Sequence, residues 1–346
     1  MAESWFSLSR ADQAEALEVA AAQTGRPPHL LEKDIWVVWT LSAIYKSNLS
    51  NKLTFKGGTS LSKVYQIIDR FSEDIDLTYD IREVVPDLLP EGNPIPTTSS
   101  QAKKVTDAVR ARLTDWIESQ VKPILLSALQ SDGLKARLTL DGIENEKLIL
   151  SYKPIKLGTG YASSTIQLEF GARATGQPHH LHLVSCDIAP AIKGVEFPIA
   201  HPLVMDAERT FWEKATAAHV YCRQARLRGE RYSRHWYDLA AMSKSGHAQT
   251  AIADSQLAQN VAQHKSMFFA EKDNDKNWIN YKTAVSGAIQ LVPQGAALES
   301  LAKDYSAMLE DGLLQSSSEI PFFEIMNTCA DLENAINRNN LCKPLV

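Results

Sequence analysis

Apolar side chains recur at Leu31, Ile35, Val38, Trp39 and Ala43, the spacing of one helical face over residues 29–46, and residues 10–24 form a helix ahead of it. Asn51-Lys52 breaks the period. Leu53 to Lys56 then reads as a short strand, Gly57-Gly58 as a turn, Ser60 to Ile68 as a helix and Ile75 to Tyr79 as a second strand. Residues 84–100 carry Pro86, Pro90, Pro94 and Pro96 with Gly92 among threonines and serines, which predicts an irregular, exposed connection. From Gln101 to Gln130 a long amphipathic helix is predicted, broken or bent near Pro123. Its face of Val105, Val109, Leu113 and Trp116 should cover a sheet.

The segments 135–140, 147–152, 164–170 and 181–187 are short and rich in Leu, Ile and Val, with Gly, Pro or charged turns between them. They predict successive strands that extend the sheet in mostly antiparallel fashion. After Pro202 the pattern turns helical, with Asp206–Arg226, Ser233–Ser243 and several further segments between 250 and 340. The fold class is therefore α+β. The boundary falls near 202: residues 1–202 hold the N-terminal helices and the sheet, and 203–346 form a helical domain.

Length and composition change this picture little. With 44% hydrophobic and 22% charged residues in 346, the chain has ordinary globular composition and room for two domains. Its 36 basic and 41 acidic residues leave a formal charge of -5, so a nucleic-acid partner must be held by a local basic patch and not by net charge. Cys186, Cys222, Cys329 and Cys342 show no CxxC spacing, which suggests neither a zinc site nor a disulfide framework and fits a reducing cytoplasm. The start, MAESWFSLSRADQAEAL, lacks the regions of a signal peptide, and no run approaches a membrane span, so a soluble cytoplasmic protein without membrane contact is expected. GxxxxGK[ST], HExxH and GxSxG motifs are absent.

The chemistry concentrates in Phe55–Leu77. Asp74 and Asp76 flank Ile75 at the start of a strand, and period-2 alternation puts both carboxylates on one face. Two such groups repel unless a cation neutralises them, and Mg²⁺ is commonly held by one or two carboxylates plus substrate phosphates. An isolated DxD is also compatible with a solvated strand end. Here, however, Gly57-Gly58-Thr59-Ser60 lies between a strand and a helix, where glycines admit close backbone approach and helix-start N–H groups can hold phosphate oxygens. A tight turn with Thr59 or Ser60 as N-cap is the plainer reading, and both can hold together. The joint expectation is a triphosphate held by the turn and bridged by metal to Asp74 and Asp76 for in-line attack at the α-phosphorus. A third carboxylate is expected from a neighbouring strand, Glu169 first and Asp187 second.

On the helix from Glu208 to His219, Lys214 shares a face with Thr210, Ala217 and Ala218, so it reads either as a charge on nucleotide phosphates or as a solvated lysine. Asp238 follows in His235-Trp-Tyr-Asp-Leu, where an acid in a first turn also serves as a dipole partner. Arg223, Arg226, Arg228, Arg231 and Arg234 run beside His235, Trp236 and Tyr237, a local basic excess suited to RNA or to a solvated helix end. His179, His180 and His182 read as surface histidines, since alternation separates neighbours and no fourth ligand is evident.

The strings FKGGTSL, DRFSEDIDL, LEFGAR, ERTFWEKATAAH and RHWYDLA, in this order over residues 55 to 240, resemble the AbiEii/AbiGii-type nucleotidyltransferase toxins, and LEKDIW at Leu31–Trp36 is similar to the family's N-terminal helix. The resemblance implies a DNA-polymerase-β-like nucleotidyltransferase core, a mixed sheet covered by helices, with a helical C-terminal domain completing the active-site cleft. It implies a toxin of a bacterial toxin–antitoxin or phage-defence pair, an antitoxin partner of winged-helix type, Mg²⁺ or Mn²⁺ with an NTP co-substrate, and a tRNA 3′ end as acceptor. Carried over by residue, the nucleotide-binding motif falls on Gly57, Gly58, Thr59 and Ser60, with Lys56 before it and Ser72 in the SxDxD stretch. The metal-binding acids fall on Asp74 and Asp76, the lysine motif on Lys214 and the last acidic motif on Asp238, while Glu169 and Arg173 lie in a matching strand. Two rivals differ in acceptor or in kind: transfer to a protein hydroxyl or small molecule, and a catalytically silent binding module.

Overall fold

The computed structural model describes the chain except residues 1, 73, 91–93, 143–145, 158–163, 226–230, 311–313, 315–317 and 340–346. It forms two compact units, the first of Met1–Val64, Phe71–Leu89 and Val105–Met205, the second of Tyr65–Arg70, Pro90–Lys104 and Asp206–Val346. Among the described residues no helix is long and apolar enough to cross a membrane.

A seven-stranded mixed sheet organises the first unit. Its strands in chain order are β1 (Leu53–Lys56), β2 (Ile75–Asp80), β3 (Ala136–Leu140), β4 (Lys147–Tyr152), β5 (Thr165–Ala174), β6 (His179–Leu181) and β7 (Leu203–Met205). They lie in the order β3-β4-β5-β2-β1-β7-β6, with β2–β5 and β1–β7 parallel and the other pairs antiparallel. The expected antiparallel extension is thus present in β3, β4 and β5. The predicted strand 181–187 divides, because Val184–Ser185 leaves the sheet to pair with Ile199–Ala200. β7 was not predicted; three residues are too few to display a period of two.

One face of the sheet is core. Ile75, Leu77, Leu148, Leu150, Ile166, Leu168 and Phe170 are buried there, in the strict alternation of a half-covered sheet. Helices α1 (Arg10–Thr24) and α2 (Pro28–Tyr45) precede the sheet. Trp36 of α2 stacks on Tyr152 of β4 with centroids 4.9 Å apart. α2 is buried nearly all round, including Glu32, Lys33 and Asp34, so its charges need partners. Glu32 accepts hydrogen bonds from the N–H groups of Ile155 (2.9 Å) and Lys156 (3.2 Å).

Helix α3 (Gly57–Lys63) follows β1 and is shorter than predicted, since the chain turns at Gln66 with φ +52°. The predicted long helix is α4 (Ser99–Trp116), a π turn at Ile117–Val121, and α5 (Lys122–Ser131). Pro123 lacks an N–H and displaces the carbonyl four residues earlier, and the wider turn absorbs both effects. Trp116 stacks on Tyr79 of β2, centroids 4.0 Å apart, which seats the end of α4 on the apolar sheet face.

The second unit is helical: α6 (Ala207–Gln224), α7 (Ser233–Lys244), α8 (His247–Ala253), α9 (Ser255–Phe268), α10 (Ala296–Glu310) and α11 (Phe322–Asn339). Its buried tryptophans satisfy their indole N–H groups on carbonyls, Trp212 on Ala251 (3.0 Å) and Trp236 on Leu291 (2.6 Å). His219 of α6 is 5% exposed and accepts the Gln290 N–H at Nδ1, 2.9 Å away. Burial first, and then Arg223, push its pKa down to about 4. An unfolded histidine titrates near 6.5, so between these values the folded state binds fewer protons and stability falls as pH falls. Urea unfolding at about pH 7 and about pH 4 should differ by a term on the order of 3 kcal/mol that His219→Asn, which keeps an acceptor for Gln290, removes. An unchanged difference in the variant would contradict this assignment.

Candidate active site

The polar face of the sheet carries a row of charges across four strands. Lys147 on β4, Glu169 on β5, Asp76 on β2 and Lys56 on β1 are successive register partners, so their side chains leave the same face. The order is plus, minus, minus, plus. Glu169 meets Lys147 at 2.8 Å. Like charges opposite one another in a sheet are unfavourable, and the register sets Asp76 beside Glu169 in that way.

Gly57 ends β1 and opens α3 with φ +79°, a left-handed conformation in which glycine avoids the Cβ penalty. A Cβ at this position would overlap the Asp76 carboxylate. The glycine therefore lets the acid lie against the backbone at the helix start. The N-cap residue of α3, Lys56, makes no side-chain capping bond, although a helix cannot satisfy its first N–H groups internally. The N-cap expected of Thr59 or Ser60 is replaced by other bonds. Thr59 Oγ1 donates to the Asp74 carbonyl (2.5 Å) and lies 3.0 Å from Ser72 Oγ, while Ser60 Oγ donates to the Gly57 carbonyl (2.9 Å). Thr59 thereby pins the loop that delivers Asp74 and Asp76, and Ser72 belongs to the same clamp.

The far end of α3 is fixed by Lys63, Asp34 and Arg26, which the sequence did not mark as site residues, together with Asp187. Lys63 lies 2.6 Å from both Asp34 of α2 and Asp187, and Asp187 also meets Arg26 at 3.3 Å. The Asp187 N–H donates to Asp34 Oδ2 at 2.7 Å. Burial opposes the Lys63 charge, but the two carboxylates outweigh it and raise its pKa. Asp187, the second choice for a metal ligand, is placed in this structural cluster, and Asp34 of the LEKDIW segment is its centre. Among the described residues no three His, Cys, Asp or Glu side chains gather in a metal-binding group.

In the second unit, Asp238 is fully buried and accepts from Arg70 Nε and Nη2, both at 2.7 Å, while Lys214 Nζ approaches Oδ2 at 2.7 Å. Burial alone would raise this carboxyl, but Arg70 and Lys214 prevail and hold it well below the usual carboxylate range. Asp238 is the sixth residue of α7 and not in its first turn, so the dipole explanation gives way to a buried ion trio. Its carboxylate orients Lys214, whose side chain is 11% exposed. Neighbouring His235 is pushed down to about 3 by burial and by Lys214, and so is neutral at pH 7.

The arginine run divides. Arg223 pairs with Asp273 at 2.8 Å, Arg231 is exposed with its backbone N–H on Asp304 (2.6 Å), and Arg234 is half-buried. Arg226 and Arg228 lie outside the described residues. Of the three histidines, His179 Nδ1 shares a hydrogen bond with Thr54 Oγ1 (2.9 Å) and His180 is exposed.

Comparison with known proteins places the chain in a family. The profile described as "Nucleotidyl transferase AbiEii toxin, Type IV TA system" matches residues 39–334. No curated protein matches the chain. Among solved structures, MenT4, the nucleotidyltransferase toxin Rv2826c from Mycobacterium tuberculosis H37Rv, aligns over 95% of this chain and 98% of its own at 16% identity and a TM-score of 0.39. The profile spans β1, the Asp74–Asp76 strand, Lys214 and Asp238, and the chain belongs to the AbiEii nucleotidyltransferase toxin family of type IV toxin–antitoxin systems.

Proposed function

We propose that this nucleotidyltransferase moves an NMP unit from an NTP to RNA, with the 3′ end of tRNA as acceptor, and so acts as the phage-defence toxin held in check by a winged-helix antitoxin. Its setting is the cytoplasm, where NTP and tRNA meet. The observation that supports the reading best is the Asp76 carboxylate lying against the Gly57 backbone at the start of α3. Acid and N–H donors there face one reacting phosphate chain.

Asp74 and Asp76 are the residues that would hold Mg²⁺ or Mn²⁺, a hard cation usually bound by one or two carboxylates plus substrate phosphates, and Glu169, the register partner of Asp76 and here paired with Lys147, is the proposed further carboxylate. Bound there, the cation supplies charge neutralisation for attack at the α-phosphorus. The chain's own residues do the rest. Lys56, Gly57, Gly58 and Ser60 receive the phosphates, Thr59 and Ser72 hold the Asp74 loop, Lys214 contributes a phosphate-binding charge, and Asp238 with Arg70 orients that lysine. Arg223, Arg226, Arg228, Arg231 and Arg234 are the proposed RNA contacts.

Incubation of the protein with each α-labelled NTP, Mg²⁺ and total tRNA, followed by separation of RNA, protein and small molecules, tests the acceptor. Label is expected in RNA. Label confined to protein or to small molecules would remove the RNA reading and leave the transferase.

A further inference from the structure

We infer that the hairpin of residues 271–279 is a stacking platform for an unpaired RNA base, with Trp278 as the ring and Lys272 and Lys276 as contacts to the flanking phosphates. The inference rests on the RNA-acceptor reading and gives a role to a stretch in which the sequence shows no motif.

Trp278 is 67% exposed, whereas Trp5, Trp212 and Trp236 are each 1% exposed. Its surroundings are not apolar. The cavity beside it, about 330 Å³, is walled by Gln224, Glu271, Lys272, Asp273, Asn274 and Lys276 among others, and the Asp273 charge is taken up by Arg223. Lys272 Nζ sits 4.7 Å from the indole centroid, and the two residues pair across an antiparallel bridge. A protein-docking core surrounds its aromatic anchors with apolar side chains and depletes lysine. With Asp273 neutralised by Arg223, an exposed ring flanked by Lys272 and Lys276 suits a base with its phosphates, because every base offers a π face and each phosphate a negative charge.

The platform is ordered before a ligand arrives. Asp273 Oδ1 accepts from the N–H groups of Asp275 (3.0 Å) and Asn277 (2.9 Å), and Oδ2 accepts from Arg223 (2.8 Å). The Asn274 N–H donates to the Arg223 carbonyl (3.1 Å), and Gln224 Nε2 donates to the Lys272 carbonyl (3.1 Å). These bonds strap the hairpin to the end of α6, where the arginine run begins. Little ordering cost remains for binding.

Anisotropy titration of the 346-residue chain with a fluorescein-labelled oligoadenylate of about 12 nucleotides, single-stranded or in a duplex, tests the platform. Trp278→Ala should weaken the single strand about tenfold and Trp278→Phe by no more than about threefold, with the duplex unchanged. Lys272→Ala with Lys276→Ala should lower the slope of log affinity against log salt by about 1.4. The ring is exposed, so thermal unfolding should not move. Unchanged single-strand affinity in Trp278→Ala, or equal loss for single strand and duplex, overturns the platform, as does lost antitoxin binding with RNA affinity intact. The labelled-NTP assay separates the two readings: RNA labelled by the wild type while Trp278→Ala binds normally overturns the platform alone, and no labelled RNA overturns the acceptor.

Discussion

Asp74→Ala combined with Asp76→Ala is expected to lower nucleotidyl transfer by about a thousandfold or more while cooperative unfolding persists, because cation charge at the phosphates is worth several kcal/mol at the transition state. Neither side chain is part of the apolar core. Both are partly exposed, so the folded state loses little of its packing. Growth arrest on expression should vanish together with transfer. Asp76→Asn, which keeps the shape and removes the charge, should fall nearly as far. A double variant that folds and still arrests growth would instead indicate a binding module acting without chemistry.

Gly57→Ala should lower transfer by about a hundredfold, the loss expected when reacting groups move by about an ångström. Two causes act at one atom. The φ of +79° is unfavourable for any residue with a Cβ, by roughly 1–2 kcal/mol, and that Cβ would overlap the Asp76 carboxylate. The acid must then shift away from the helix start. Thermal unfolding should show a destabilisation of about 2 kcal/mol, and Gly25→Ala is the control, since Gly25 also has positive φ (+71°) but nothing within 4 Å of an added Cβ. Equal activity in both variants would show that the contact between Gly57 and Asp76 plays no part in transfer.

Much of the first unit was legible because its signals are local. The alternation in Lys147–Tyr152 and Thr165–Phe170, the helical period around Leu31–Trp39 and the break at Pro123 each depend on neighbours within a few residues. So does the glycine turn before Asp74 and Asp76. The short strand at Leu203–Met205 was hidden by its length, and the N-cap expected of Thr59 or Ser60 gave way because their hydroxyls find carbonyls at Asp74 and Gly57.

What sequence could not show is pairing across distance. Arg70 and Asp238 are 168 positions apart, and Lys63 and Asp187 are 124 apart. A lysine at the end of a short helix and an arginine in a loop look solvated until the fold brings buried carboxylates to them. One signal was available in the LEKDIW segment: three consecutive charged residues inside an otherwise apolar helix must either reach water or find partners. Glu32 and Asp34 find theirs on backbone N–H groups and Lys63.

The most direct measurement of the central claim is the intact mass of purified tRNA before and after incubation with the wild-type protein, NTPs and Mg²⁺. The expected result is a gain equal to one or more NMP residues, located at the 3′ terminus and matched by released pyrophosphate. A tRNA of unchanged mass, or one that gains only a phosphate, would contradict it.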